Sequence, residues 1–116
     1  MVESSESIGA ASRLNQVFHA LADPTRRSIL RTIATRERTV GEIAEPYRVS
    51  LAAVSKHLKV LERAKLIARE KRGSFQFVRL NPEPLKAADR WLAYYERYWS
   101  HQLDNLQKVL DRQDSR

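Results

Sequence analysis

The side chains with the clearest chemistry in this chain are cationic and hydrogen-bonding groups between residues 50 and 80. This segment holds eight lysines and arginines against two glutamates, a net charge of +6, whereas the whole chain carries +7. The positive charge is therefore local. A local basic surface is typical of a site that neutralises phosphate groups, although a solvated helix face is the alternative interpretation.

The first half of this segment has the spacing of a helix. Apolar residues recur at Leu51, Val54, Leu58 and Leu61, and Ser50 stands before them as a natural N-cap. The other faces carry small, hydroxyl-bearing or basic residues, which let a helix approach base edges and then hold or read them. The candidate DNA contacts on this helix are Ser50, Ala52, Ala53, Ser55, Lys56, His57 and Lys59.

The second half has the alternation of two strands. One strand begins at Ile67 and the other at Phe75, with Arg72-Gly73-Ser74 as the turn between them. A short helix followed by a two-stranded ribbon with a basic tip suits duplex DNA. The helix fits the major groove, and the ribbon can lie along the neighbouring backbone or minor groove.

The residues before this segment predict the helices that must position it. Ser12 opens a first helix that ends near Ala22, and Asp23-Pro24 is a cap-and-proline start for a second. Thr39 and Glu42 have the spacing of a capping box. The helix that they open is kept short by Pro46. A short helix, a turn and a second helix at Ser50 form a helix-turn-helix.

Two arginines of the second helix have two possible roles. Arg26 and Arg27 lie beside few acidic residues, so one or both could reach DNA phosphates. They could equally form a solvated helix face, and both interpretations remain open.

The C-terminal part predicts one long helix from Leu85 to about Leu110, after a cap-and-proline start at Asn81-Pro82. Its apolar residues spread over more than one face, and one small domain cannot cover them all. We expect a homodimer interface shared with the first helix, against the alternatives of an intramolecular core or a pocket for an apolar effector. The expected interface residues are Leu14, Val17, Phe18, Trp91, Leu92, Tyr95, Trp99 and Leu106.

Composition excludes several classes of function. The 116 residues suffice for one domain, and the absence of cysteine excludes disulfides and thiolate metal ligands. No apolar run approaches the ~20 residues that span a bilayer, and the N-terminus lacks the pattern of a signal peptide, so a cytoplasmic protein without membrane contact is expected. No nucleophile elbow, phosphate-binding glycine loop or HExxH pair is present, so no catalytic residue and no enzyme activity are expected.

No cofactor and no metal site are expected either. His101 and Asp104 are three residues apart and could form one edge of a metal site. Two candidate ligands per chain are too few for a metal site, so the sequence does not predict metal binding.

Four ordered motifs resemble the ArsR/SmtB family of winged helix-turn-helix repressors. They are ALADPTRRSIL (20–30), VGEIAE (40–45), VSLAAVSKHLKVLERAKLI (49–67) and REKRGSFQFVRL (69–80). The resemblance implies a mostly α fold of five helices with a β-hairpin wing between the fourth and fifth, and a dimer formed by the N- and C-terminal helices. It also implies a homodimeric regulator of double-stranded DNA, usually a repressor. Wing contacts would come from Arg69, Lys71, Arg72, Gly73 and Ser74.

Two departures from the family pattern refine this expectation. The cysteine-containing metal box is absent, which indicates a non-cysteine branch. Lys65 stands where the family commonly has glycine, at a cost of about 1 kcal/mol if the backbone there is left-handed. The expected domain is residues 12–110, between a flexible tail at 1–11 and a polar tail at 111–116; the alternative function is a winged-helix module for protein contact.

Overall fold

The fold consists of five helices and a small antiparallel sheet. The computed structural model describes residues 2–114, with backbone alone for residues 2–8 and 10. The elements in chain order are α1 (Val2–Leu21), α2 (Pro24–Ile33), β1 (Arg38–Thr39), α3 (Val40–Ala44), α4 (Leu51–Arg63), β2 (Ile67–Arg72), β3 (Phe75–Leu80) and α5 (Glu83–Asp114).

The sheet has one strand more than the sequence predicts. Its order is β1-β3-β2, and both pairings are antiparallel. In β1, Arg38 lies opposite Val78 and Thr39 lies opposite Phe77. No pattern predicts β1, because two residues are too few to show an alternation. This strand fixes the wing to the start of α3.

The N-caps predicted at Asp23, Thr39 and Ser50 are confirmed, whereas the Asn81 side chain donates to the Lys65 carbonyl at 2.8 Å and α5 begins at Glu83. The Asp23 carboxylate accepts a hydrogen bond from the Arg26 backbone N–H at 3.0 Å, and the Ser50 hydroxyl accepts one from the Ala53 N–H at 3.2 Å. Thr39 and Glu42 form the reciprocal bonds of a capping box. These side chains satisfy backbone N–H groups that the first turn of each helix leaves unpaired.

The bounds of the two terminal helices differ from the prediction. α1 begins at Val2 rather than at Ser12, and α5 covers Glu83–Asp114 rather than ending near Leu110. No proline lies within residues 2–21 or in the last thirty residues, so nothing in either segment forces the helix to stop. The tail at 111–116 is therefore helical to Asp114, and residues 115 and 116 lie outside the described part. The flexibility expected for residues 1–11 stays a prediction.

The core forms around one face of α4. Val54, Leu58 and Leu61 are fully buried, and Ile43 of α3 and Ile29 of α2 belong to the same cluster. Burying an aliphatic side chain of this size contributes roughly 1.5–3 kcal/mol. This packing fixes which face of α4 is left for solvent.

The prediction that Leu51 belongs to the buried face is wrong. Leu51 is 62% exposed, because it is the first residue of α4 and lies beyond the edge of the core. It borders a surface cleft that Phe75 of the wing also lines.

The turn after α4 is a Schellman motif with a lysine in the left-handed position. The Leu66 N–H donates to the Leu61 carbonyl and the Lys65 N–H to the Glu62 carbonyl, both at 3.0 Å. Lys65 has φ +62°, a conformation that glycine adopts without steric cost and that other residues adopt rarely. The cost of about 1 kcal/mol that we expect for a lysine with a left-handed backbone therefore applies to Lys65.

We predict that Lys65→Gly stabilises the protein by about 1 kcal/mol, because it relieves the steric cost of the left-handed backbone. The measurement is the free energy of unfolding by urea. The matched control is Lys59→Gly in the interior of α4, which should destabilise by about 1 kcal/mol. A loss of stability in Lys65→Gly would contradict the prediction.

Candidate nucleic-acid interface

The exposed side of α4 carries the residues expected to contact DNA. Ser50, Ala52, Lys56 and Lys59 are exposed, whereas Ala53, Ser55 and His57 are half-buried. The predicted set surrounds the buried stripe of α4, and Ala52, Lys56 and Lys59 share the side opposite to that stripe. Neither lysine forms an ion pair within the described residues, so both charges are available to a partner.

His57 differs from its neighbours because it also contacts the start of α2. Its Nδ1 lies 3.8 Å from the Asp23 carboxylate and 3.4 Å from an Arg26 guanidinium nitrogen. His57 thus connects α4 to the α1–α2 junction. Its contact with bases stays a prediction.

Asp23 has a lowered pKa. The main cause is the hydrogen bond from the Arg26 backbone N–H, and the charges of Arg26 and His57 act in the same direction. A carboxyl whose pKa is lower in the folded state stabilises the fold above its ordinary pKa. That contribution is lost as the pH falls through the lowered value.

Arg26 and Arg27 bind the C-terminal end of α1. Arg26 donates from Nε to the Ala20 carbonyl at 2.8 Å and from Nη2 to the His19 carbonyl at 3.0 Å. Arg27 donates from Nη1 to the Leu21 carbonyl at 2.8 Å. These carbonyls lie in the last turn of α1, where cations are favourable, and the His19 carbonyl also accepts a hydrogen bond from the Ala22 N–H. Sequence reasoning missed this role, and phosphate contact by either arginine stays a prediction.

The wing has a tight tip and two different faces. Gly73 and Ser74 form the turn, and Gly73 has φ +60°, which glycine tolerates best. Successive residues of a strand point to opposite faces. Lys71 and its partner Gln76 therefore share one face, while Arg72 and its partner Phe75 share the other.

Arg72 is held by acidic groups of this chain. Its guanidinium donates to both Glu37 oxygens at 2.7 and 2.8 Å and to Glu70 at 3.0 Å, and it lies 4.5 Å from the Phe77 ring centroid. The Glu37 hydrogen bonds raise the pKa of Arg72, and the same bonds lower the pKa of Glu37. Glu37 is far away in sequence, and no motif signalled this pairing.

Lys71 lies on the same face of the wing as the buried Val78. Residues two apart on a strand share a face, and Val78 is the partner of Arg69. Lys71 is exposed and has no ion pair within the part of the chain that the structure describes. The lysines of α4 and Lys71 thus form the free basic groups of this surface.

Arg69 is less accessible than predicted. It lies opposite the buried Val78, and its Nε and Nη2 atoms are covered without a hydrogen-bond partner. Two of the three guanidinium nitrogens of Arg69 are therefore covered, whereas Lys71 is exposed. The wing contact of Arg69 stays a prediction.

The apolar face of α5 is exposed over most of its length. Trp91, Leu92, Tyr95, Trp99 and Leu106 are between 41% and 60% exposed. The N-terminal part of this face packs on α1, where the ring centroids of Trp91 and Phe18 are 5.2 Å apart in an edge-on arrangement.

Val17 packs within the chain. It is 4% exposed and belongs to the core, and its expected place in a dimer interface stays a prediction. Leu14 and Phe18 are partly buried against the same core. The first helix therefore uses much of its apolar face within the chain.

His101 and Asp104 do lie together on α5, in a shallow cleft with Glu96 and Arg97. Among residues 2–114, no group of three metal-ligating side chains comes together. No helix of that range is long and apolar enough to cross a bilayer.

A helix-turn-helix followed by a β-hairpin wing, with free lysines on both, defines a winged helix-turn-helix protein. A family model described as a helix-turn-helix domain matches residues 21–70. The transcriptional repressor SdpR of Bacillus subtilis is 37% identical over 79 residues, which cover 68% of this chain and 88% of that protein.

Two further similarities identify the family. The HTH-type transcriptional regulator Rv2034 of Mycobacterium tuberculosis is 36% identical over 97 residues, 84% of this chain and 88% of that protein. The crystal structure of the ArsR family transcriptional regulator RHA00566 matches with a TM-score of 0.74 at 36% identity, and covers 78% of this chain and 93% of that one. The chain belongs to the ArsR family of winged helix-turn-helix transcriptional regulators.

We predict that Lys71→Ala and Arg72→Ala affect DNA binding differently. A lysine that contacts a phosphate contributes about 0.9 to the slope of log affinity against log salt, so Lys71→Ala should reduce that slope by about this amount. Arg72→Ala should change it less, because the Arg72 charge is already paired with Glu37. The measurement is fluorescence anisotropy of labelled duplex DNA at several salt concentrations. A larger effect of Arg72→Ala would assign the phosphate contact to the opposite face of the wing.

Proposed function

We propose that this protein is a homodimeric transcriptional repressor that binds an imperfect palindrome in duplex DNA and excludes RNA polymerase from the promoter. The observation that carries the proposal is the pairing of a capped α4, whose outer side is small and basic, with a β-hairpin wing that carries the exposed Lys71 next to its tip. Such a helix fits a major groove and such a wing fits the adjacent backbone. The name of the similar repressor SdpR supports the direction of regulation.

The exposed residues on α5 support the homodimer. Ten large apolar side chains between Trp91 and Leu110 are at least 41% exposed, which is more apolar surface than a monomeric protein of this size leaves uncovered. A second copy that packs on α5 and on the neighbouring part of α1 covers this surface. Two-fold symmetry then sets the two α4 helices about one turn of DNA (~34 Å) apart.

The composition and the relatives support further features of the function. The chain has no cysteine, so we infer a branch of the family without a thiolate metal box. The similarity to transcriptional regulators supports a cytoplasmic DNA-binding protein without enzyme activity. His101 and Asp104 are only two candidate metal ligands, so nothing supports regulation by a metal ion. The alternative is a winged-helix module that contacts proteins, for which the free lysines of α4 have no evident use.

The test of sequence-specific binding is selection from a random duplex library with the purified protein. We expect enrichment of an inverted repeat whose half-site centres lie about one helical turn apart. Lys56→Ala should lose enrichment at one or two positions of each half-site, because it removes a side chain that reaches base edges. The matched control Lys108→Ala, on α5, should enrich the same sequence as the wild type.

The outcome of this selection separates the two functions. A protein-contact module would enrich no duplex sequence at any salt concentration. If the wild-type protein enriches nothing, the proposal of a repressor is wrong.

The test of the homodimer is Leu106→Lys. Leu106 is 54% exposed on the apolar face of α5, so a lysine there costs the monomer little but buries an unpaired charge in the dimer. We expect sedimentation equilibrium to show a dimer for the wild type and a monomer for the variant, with much weaker DNA binding. The matched control Ser100→Lys adds the same charge to the polar face of α5 and should stay dimeric. A dimeric Leu106→Lys would place the interface elsewhere.

A further inference from the structure

A cavity of about 320 Å³ lies where α1, the end of α4 and the first turns of α5 meet. Its floor is apolar and consists of Leu14, Val17, Ala64 and Pro84. The volume is at the lower end of the range for small-molecule sites. The exposed aromatic residues of α5 do not line the cavity. They begin at Trp91, about one helical turn after the lining residue Ala87.

The rim of this cavity is cationic. Arg13, Arg63 and Lys65 contribute to its lining, and no aspartate or glutamate does among the side chains that the structure describes. Within the described residues, none of these three side chains forms an ion pair or hydrogen bond. Three unpaired cations around an apolar floor are complementary to a molecule with an apolar body and an anionic head.

Lys65 adds an independent argument. It occupies a left-handed backbone position, with φ +62°, where glycine is favoured. A residue that destabilises the backbone and yet presents a cation at a cavity is typical of a functional position, since such strain concentrates at binding sites.

We propose that this cavity binds an amphiphilic carboxylate, of which a medium-chain fatty acid is the simplest representative. The alkyl chain lies on the apolar floor, and the carboxylate stays at the solvent edge, where Lys65, Arg63 and Arg13 pair with it. The charge is therefore never left buried and unpaired. Through Arg63 and Lys65 the bound molecule contacts the end of α4, so its binding would act on the DNA-contacting helix; this regulatory consequence rests on the proposed function, whereas the binding itself does not.

The experiment measures ligand binding without DNA, so its result does not depend on the proposed function. The probes are decanoate, decanol and decylamine, which share one alkyl chain and differ in head-group charge, and the readouts are calorimetry and thermal unfolding. We expect saturable binding of decanoate and a rise in Tm. Decanol should bind at least about tenfold more weakly, since it lacks the charge-assisted contacts, and decylamine should not bind.

Two variants locate the site. Lys65→Gly and Arg63→Gln should each weaken decanoate binding about tenfold, and Lys65→Gly should do so while raising Tm in the absence of ligand. Loss of binding by a more stable protein cannot be attributed to misfolding. The matched control Lys108→Gln removes a cation of α5 that does not line the cavity, and it should bind decanoate like the wild type.

Three results would overturn the proposal. Equal binding of decanoate and decylamine would indicate apolar adsorption without recognition of charge. Undiminished decanoate binding by Lys65→Gly and Arg63→Gln, with quenching of tryptophan fluorescence, would place the molecule on the aromatic face of α5. Absence of decanoate binding to the wild-type protein would leave the cavity without the proposed ligand.

Discussion

The burial of one face of α4 determines how this helix is oriented and which of its side chains reach solvent. Val54, Leu58 and Leu61 are fully covered by the other elements, and their loss of contact with water fixes the rotation of the helix about its own axis. Because that rotation is fixed, Lys56 and Lys59 must face solvent. The same three residues that stabilise the core therefore define the surface that we propose to contact DNA, and the caps at Ser50 and Lys65 set where this surface begins and ends.

Pairing within the chain decides which cations remain for a partner. Arg26 and Arg27 close the end of α1, and Arg72 joins the wing to Glu37, which precedes β1. The carboxylates offset the charge of Arg72, whereas the bonds to neutral carbonyls leave Arg26 and Arg27 charged and fix where their guanidinium groups lie. The lysines of α4 and the wing have no such partners, so the effective positive surface is smaller than the count of basic residues indicates.

Much of the fold could be predicted from local patterns, and the parts that could not depend on distant residues. The caps at Asp23, Thr39 and Ser50 act over three residues, and the sequence showed them directly. The two-residue β1 and the Arg72–Glu37 pair depend on residues more than thirty positions apart, for which one sequence offers no signal. Leu51 and Val17 followed the right periodicity, but their burial depended on where the core ends.

The central claim is that the exposed side of α4 and the adjoining wing form one DNA-binding surface. The most direct measurement is a titration of the isotopically labelled protein with duplex DNA, followed through its backbone amide NMR signals. We expect the largest shifts of amide signals in residues 50–59 and 71–76, and small shifts along the distal half of α5. Changes concentrated in α5, with α4 unaffected, would contradict the claim.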